Sequence, residues 1–229
     1  MRPLTFAFIL FRDFTVVLAH IRGMKLIFAQ FLLSLSLSLT TAHGQTEKKE
    51  EAKKPASVAK EVAVIKTSQG EMVVEFWPEV APNTVDNFMK LAKQGFYDGT
   101  AFHRIMKGFM IQGGDPLTKD TSAEERWGTG DPGYKIKAEF NDRLHVRGVI
   151  SMARGPNPDS AGCQFFICLA PAPSLDKNYT AFGKLIKGYD VLGKLGDSPV
   201  GPSSRGEASK PKGRVSVESI KIVPADSVK

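Results

Sequence analysis

The sequence predicts a mainly β domain: an eight-stranded closed antiparallel barrel capped by two α-helices. Three observations lead to it. Eight short apolar segments lie between Val62 and Val223, separated by turns rich in Gly, Pro and polar residues. Only two windows in that span carry a helical period. The 229-residue chain, 42% hydrophobic and 24% charged, can hold one core of ordinary size plus an appendage. A sheet of this strand count suits closure on itself, with side chains filling the interior.

The appendage comes first. Residues 1–44 form a leader with two apolar stretches, the second having the three-part form of a secretory signal at 24–44. Met24-Lys25 gives a positive start, Leu26 to Leu39 is an apolar and serine run, and Ala42-His43-Gly44 sets small residues at a cleavage site. Cleavage is expected after Gly44, and export to a periplasm or the exterior follows. The run of 14 residues is short of the roughly 20 a spanning helix needs, so no stable membrane span is expected after cleavage. Residues 1–23 then duplicate a start that Met24 already supplies; a retained, membrane-tethered hairpin is the alternative. Residues 45–61, QTEKKEEAKKPASVAKE, bury too little to order themselves and read as a charged linker.

The folded domain is expected over 62–224, with a short tail at 225–229. Val62 to Thr67 and Met72 to Phe76 read as a strand pair around Ser68-Gln69-Gly70-Glu71. A helix follows, capped by Asn83 or Thr84, with Val85, Phe88, Met89 and Ala92 on one face and Gly95 at its end. Further strands are expected at Phe102 to Met106, Phe109 to Gln112, Val149 to Ala153, Gln164 to Leu169, Phe182 to Lys187 and Val215 to Val223. A second helix is expected near Tyr189 to Leu195. Residues Pro116 to Gly133 lack periodicity and read as a long loop of the kind that often serves function.

Charge and cysteines exclude several functions. The net charge of +7 falls to about +4 without the leader, too little and too dispersed for a nucleic-acid surface. Cys163 and Cys168, five residues apart in one extended segment, would lie about 16 Å apart, too far for a disulfide. His103, His145, the cysteines and the carboxylates show no ligand spacing, so no metal and no cofactor are expected. Gly196-Asp197-Ser198 resembles a serine-protease nucleophile segment, but Pro199 stands where a glycine is needed and the rest of a triad is missing. Gly113-Gly114-Asp115 lacks the lysine and helix of a phosphate loop and marks a turn with close backbone packing. Nothing extended and apolar calls for a partner subunit, so a monomer is expected.

Two segments remain. Phe102-His103-Arg104-Ile105-Met106-Lys107-Gly108-Phe109-Met110-Ile111-Gln112-Gly113-Gly114-Asp115 sets one arginine and one glutamine among large apolar side chains. That composition fits neither a half-buried strand nor a wet one, but it fits a shallow apolar pocket with a few fixed hydrogen-bonding groups. In Val149 to Ile167, strand parity puts Gln164 and Phe166 on one face and Phe165 and Ile167 on the other; Met110 and Gln112 share parity too. Met110, Gln112, Gln164 and Phe166 can therefore share one surface near Arg104. Phe165, Ile167 and Ile105 are assigned to core. Arg104 and the glutamines, polar among apolar neighbours, need partners.

These segments, FHRIMKGFMIQGGD and VISMARGPNPDSAGCQFFI, with DKNYTAFGKL at 176–185, resemble the cyclophilin family of peptidyl-prolyl cis/trans isomerases over about Val62 to Val223. The resemblance implies an eight-stranded barrel with two helices and activity on proline-containing segments of unfolded or folding proteins. It places the catalytic arginine on Arg104 and the proline pocket on Phe109, Met110, Phe166 and Leu175. Substrate-backbone contacts fall on Gln112, Ala153, Arg154 and Gln164. Tyr179 stands where the family often has a rim histidine, and Ser174 where it has a tryptophan that cyclosporin uses, so weak cyclosporin inhibition is expected. The stretch Arg154 to Ala161 is one residue longer than the familiar pattern. A passive proline-binding module or chaperone is the alternative, and Arg104 speaks against it, because a passive pocket needs the aromatics but no donor.

Overall fold

The computed structural model describes residues 60–203 and 206–228 of the chain; the leader and the linker as far as residue 59 lie outside the described residues. The first hairpin joins β1 (Glu61–Thr67) to β2 (Gly70–Phe76), and helix α1 spans Pro82–Lys93. Then come β3 (Thr100–Ala101), β4 (Arg104–Met106), β5 (Met110–Gly113), β6 (Val149–Met152), β7 (Phe165–Cys168) and β8 (Ala181–Lys187). Helix α2 (Tyr189–Gly196), a small hairpin of β9 (Val200–Pro202) and β10 (Ala208–Pro211), and β11 (Ser216–Pro224) complete the order. Nine strands form one antiparallel sheet in the order β3-β11-β1-β2-β8-β6-β7-β5-β4, while β9 and β10 pair only with each other.

The strand expected at Phe102 to Met106 begins only at Arg104, and a further short strand, β3, precedes it at Thr100–Ala101. Ala101 pairs with Ser216 of β11, whereas Arg104 pairs with Gln112 of β5. The chain changes partners between them: Phe102 N donates to Val215 O at 2.9 Å and His103 N to Gln112 O at 3.1 Å. Since the two edge strands are consecutive in sequence, this bend brings the curled sheet back on itself. Counted as one bent strand, β3 and β4 make the ring eight-membered, as the sequence leads one to expect. The β9–β10 hairpin was not foreseen, because its Gly, Pro and Ser content reads as loop.

Period-two alternation sorts the side chains. Ile105, Ile111, Phe165 and Ile167 join the main core. Phe88 of α1 lies at its centre, 5.1 to 5.8 Å from the rings of Phe76, Tyr97, Phe165 and Phe182. Val191, Leu192 and Leu195 of α2 bury their face in the same core.

Neither Asn83 nor Thr84 caps α1 with its own side chain. Pro82 starts the helix one residue early, behind Ala81, which makes no side-chain cap. The free amides are met from elsewhere: Glu139 accepts from Asn83 N at 3.0 Å and Thr84 N at 2.8 Å. A carboxylate there also complements the positive end of the helix dipole. Hydrogen bonds from both residues hold its pKa below the usual glutamate value although burial pushes the other way.

Candidate active site

The residues on the other parity build the site. Met110, Phe166 and Cys168 are buried in a second apolar cluster, flanked by Met106, Phe109, Ala153, Leu175 and Tyr179. Arg104, Gln112 and Phe166 are cross-strand neighbours on β4, β5 and β7, and Met106, Met110 and Cys168 form the next row. Alternation therefore turns one polar and one apolar row outward from the same three strands. Above them lies a groove of about 430 Å³. Arg104, Phe109, Met110, Gln112, Ala153, Arg154, Gln164, Phe166, Leu175 and Tyr179 all line it, so every site residue expected from sequence meets in one place.

The polar groups form a chain. Gln164 Nε2 donates to Gly128 O at 3.1 Å and Gly130 O at 2.9 Å, and its Oε1 accepts from Gln112 Nε2 at 3.1 Å. Gln112 Oε1 in turn accepts from Arg104 Nη1 at 3.5 Å. The start of this chain is set by the loop read as irregular in the sequence. It contains two 3₁₀ turns, Pro116–Lys119 and Thr121–Arg126. Asp115, fully buried, ties the loop ends together by accepting from Leu117 N at 2.7 Å, from Gly128 N and from Gly130 N at 3.2 Å. Gly114 makes the entry possible: its φ is +83°, and a Cβ there would meet Cys163 O at 2.6 Å.

Arg104 has a further partner that the sequence did not reveal. Glu207, just before β10, takes Arg104 Nε at 2.6 Å and Nη2 at 3.1 Å on its two oxygens. The only sequence signal is an isolated acid in a Gly- and Ser-rich stretch, too weak to pick out. Arg154 behaves differently from Arg104. Its Nε and Nη2 donate to Asn178 O at 3.2 and 2.8 Å, and its Nη1 to Gly155 O at 2.9 Å. The guanidinium also lies 4.6 Å from the Tyr179 ring centre. The Arg154 side chain thus braces the rim.

The apolar floor rests on a polar relay whose His145 and Ser151 are buried and whose Asp176 is half-buried. His145 stacks 6.0 Å from Phe166 with rings 19° apart, and Tyr179 meets the Phe166 ring in a T-shaped contact at 5.7 Å. His145 Nε2 lies 3.0 Å from Ser151 Oγ, and its Nδ1 lies 3.0 Å from Asp176 Oδ1. Those are the residue types of a hydrolytic triad. Ser151 is fully buried, however, and cannot reach a substrate, so the relay positions and does not attack. Burial lowers the His145 pKa against the opposing pull of Asp176, and hydrogen bonds from His145 lower that of Asp176. Both cysteines are free thiols, pushed up to about 12 by burial, and so are protonated at neutral pH. Among the described residues no group of three His, Cys, Asp or Glu could hold a metal ion, and no helix is long and apolar enough to cross a membrane. The site offers an apolar seat, an oriented cation and amide groups; of the thiol and hydroxyls that also line it, Cys163 is protonated and Ser160 is bonded to the main chain of Gly155 and Asn157.

Comparison with known proteins agrees with this chemistry. Residues 62–222 match the family model for cyclophilin type peptidyl-prolyl cis-trans isomerases. A peptidyl-prolyl cis-trans isomerase of Synechococcus elongatus is 47% identical over 122 residues, 53% of this chain and 78% of the relative. One from Helicobacter pylori is 44% identical over 137 residues, 58% of this chain and 78% of the relative. The fold is similar to that of a cyclophilin type isomerase from Cryptosporidium parvum, solved in the presence of the dipeptide Ala-Pro. That comparison has a TM-score of 0.62 and 32% identity, covering 71% of this chain and 98% of the other. This chain belongs to the cyclophilin type peptidyl-prolyl cis-trans isomerase family.

Proposed function

We propose that this chain accelerates X-Pro rotation without covalent chemistry, through hydrogen bonding from Arg104 to the twisted amide. Amide resonance sets a barrier near 18 to 20 kcal/mol and leaves the planar nitrogen without a lone pair to share. Rotation breaks the resonance and returns that lone pair to the proline nitrogen. A donor held beside it then binds the transition state and not the ground state. The apolar surface of Phe109, Met110, Phe166 and Leu175 fits the proline ring, and Gln112 and Gln164 offer amides to the neighbouring backbone. Losing one such preorganised donor costs about 3 to 4 kcal/mol in comparable sites, or roughly 10² to 10³ in rate.

The observation that supports this reading is the position of Arg104 in one cross-strand row with Gln112 and Phe166. A capture module needs the apolar floor but no oriented cation beside it. The test is the isomerisation rate of an unstructured proline peptide. It should rise in proportion to added protein, and a protein that binds the peptide without changing the rate would be the capture module instead.

The substrates are proposed to be exported proteins during folding, met by a monomeric enzyme in a periplasm or outside the cell. The leader at 1–44 supports that placement, with cleavage after Gly44. N-terminal sequencing of the mature protein tests it; residue 1 or residue 24 at the mature end overturns the cleavage.

A further inference from the structure

We propose that Glu207 is a positioning residue for the isomerisation: it fixes the plane of the Arg104 guanidinium and leaves the groove-side edge free to donate. The inference rests on the reading that Arg104 acts on the twisted amide. An arginine side chain ends in a planar fork with five N–H donors. Arg104 spends Nε and one Nη2 hydrogen on the two carboxylate oxygens of Glu207 and turns Nη1 to Gln112 Oε1. Two parallel bonds to a planar acceptor fix both the position and the tilt of the guanidinium, as one bond cannot. The pair is half-buried, with side chains 24% and 28% exposed, so solvent screens it only in part.

Glu207 is itself held from behind. Ser209 Oγ, on a residue 1% exposed, donates to Glu207 Oε1 at 3.0 Å. Ser203 N donates to Glu207 O at 2.8 Å across the mouth of the β9–β10 hairpin. That hairpin takes no part in the main sheet, and the acid it presents is 103 residues from Arg104 in the chain.

A carboxylate beside a catalytic cation could instead act as a brake, competing with substrate. A brake must engage the donors that substrate uses. Here the fork occupies the Nε and Nη2 edge, while Nη1 lies toward Gln112 and, through it, Gln164 on the groove floor. Orientation and charge also pull in opposite directions. Removing Glu207 strengthens the field of Arg104 but frees its plane, and displacement by about 1 Å can cost roughly 100-fold in rate.

The test is a double-mutant cycle on the full chain, reading kcat/KM on a proline peptide and Kd for the same peptide. Glu207→Ala is expected to lower kcat/KM about 10- to 100-fold with Kd within about threefold, and Glu207→Asp to recover part of the loss. In an Arg104→Ala background the same Glu207→Ala change is expected to alter the residual rate less than about twofold. Unchanged or increased activity in Glu207→Ala overturns the proposal. So do equal fold-losses in both backgrounds, which mark a structural role. Should the alanine variant melt early, Glu207→Gln, which keeps the size but offers one acceptor oxygen, carries the same comparison. Full activity in Arg104→Ala itself refutes the underlying mechanism and is thereby told apart from failure of the Glu207 role.

Discussion

Replacing Asp115 should loosen the catalytic groove from a distance. Its carboxylate is fully buried and accepts three main-chain amides, those of Leu117, Gly128 and Gly130. Each such charge-assisted bond contributes about 1.5 to 2 kcal/mol net, so Asp115→Ala, which loses three, should lower stability by roughly 4.5 to 6 kcal/mol. Asp115→Asn keeps one acceptor oxygen but turns an amide N–H₂ toward other donors, and about half that loss is expected. For a domain of this size each kcal/mol moves the melting temperature by about 2 to 4 °C, which gives roughly 9 to 24 °C for the alanine variant. The functional effect follows from connectivity. Gly128 O and Gly130 O hold Gln164, which holds Gln112, which meets Arg104. A decrease in kcat/KM of about tenfold is therefore expected below the melting temperature. Thermal melting followed by tryptophan fluorescence is suitable, because Trp127 adjoins Gly128. Asp120→Ala, in an exposed carboxylate that accepts only from Ser122 within the same turn, is the matched control. A melting point within about 2 °C of wild type in Asp115→Ala, together with unchanged kcat/KM, would refute the reasoning.

Three more outcomes are expected. The lowered pKa of His145 means that its contribution to stability is present above its unfolded value of 6.5 and is lost as pH falls below it; Glu139 and Asp176, also lowered, keep theirs above 4.5 and 3.8 and lose it as pH falls through their folded values. Urea midpoints should thus hold steady above neutrality, decline once as pH falls below 6.5 and again in stronger acid, with the first step absent in His145→Gln. Cyclosporin at nanomolar concentration should leave activity largely intact, since Ser174 offers no indole donor, and stoichiometric inhibition at that level would contradict this. Arg154→Ala should reduce kcat/KM by less than about tenfold, because its donors are spent on Asn178 O and Gly155 O; a loss as deep as that of Arg104→Ala would show a direct role.

Strand parity was legible because it is local, and so were eight of the nine strands of the main sheet. Alternation alone separated Phe165 and Ile167 from Gln164 and Phe166, and the structure sends the first pair to the core and the second to the groove. What the sequence hid depends on contacts far apart in the chain. Glu139 caps α1 from 55 residues away, so the local Asn83 and Thr84 looked sufficient. The partner change at Phe102–His103 depends on β11 and β5 lying on either side of it, which no window of sequence displays. The loop after Asp115 lacks periodicity because one buried carboxylate organises it. Glu207 reaches Arg104 only because β10 of the small hairpin packs against β4.

The most direct test of the mechanism compares wild type with Arg104→Ala by measuring both kcat/KM for isomerisation of an unstructured proline peptide and the Kd for that peptide. Hydrogen bonding confined to the twisted amide predicts a loss of about 10² to 10³ in kcat/KM with Kd changed by less than about threefold. Equal isomerisation rates, or a loss of rate matched by an equal loss of binding, would contradict it.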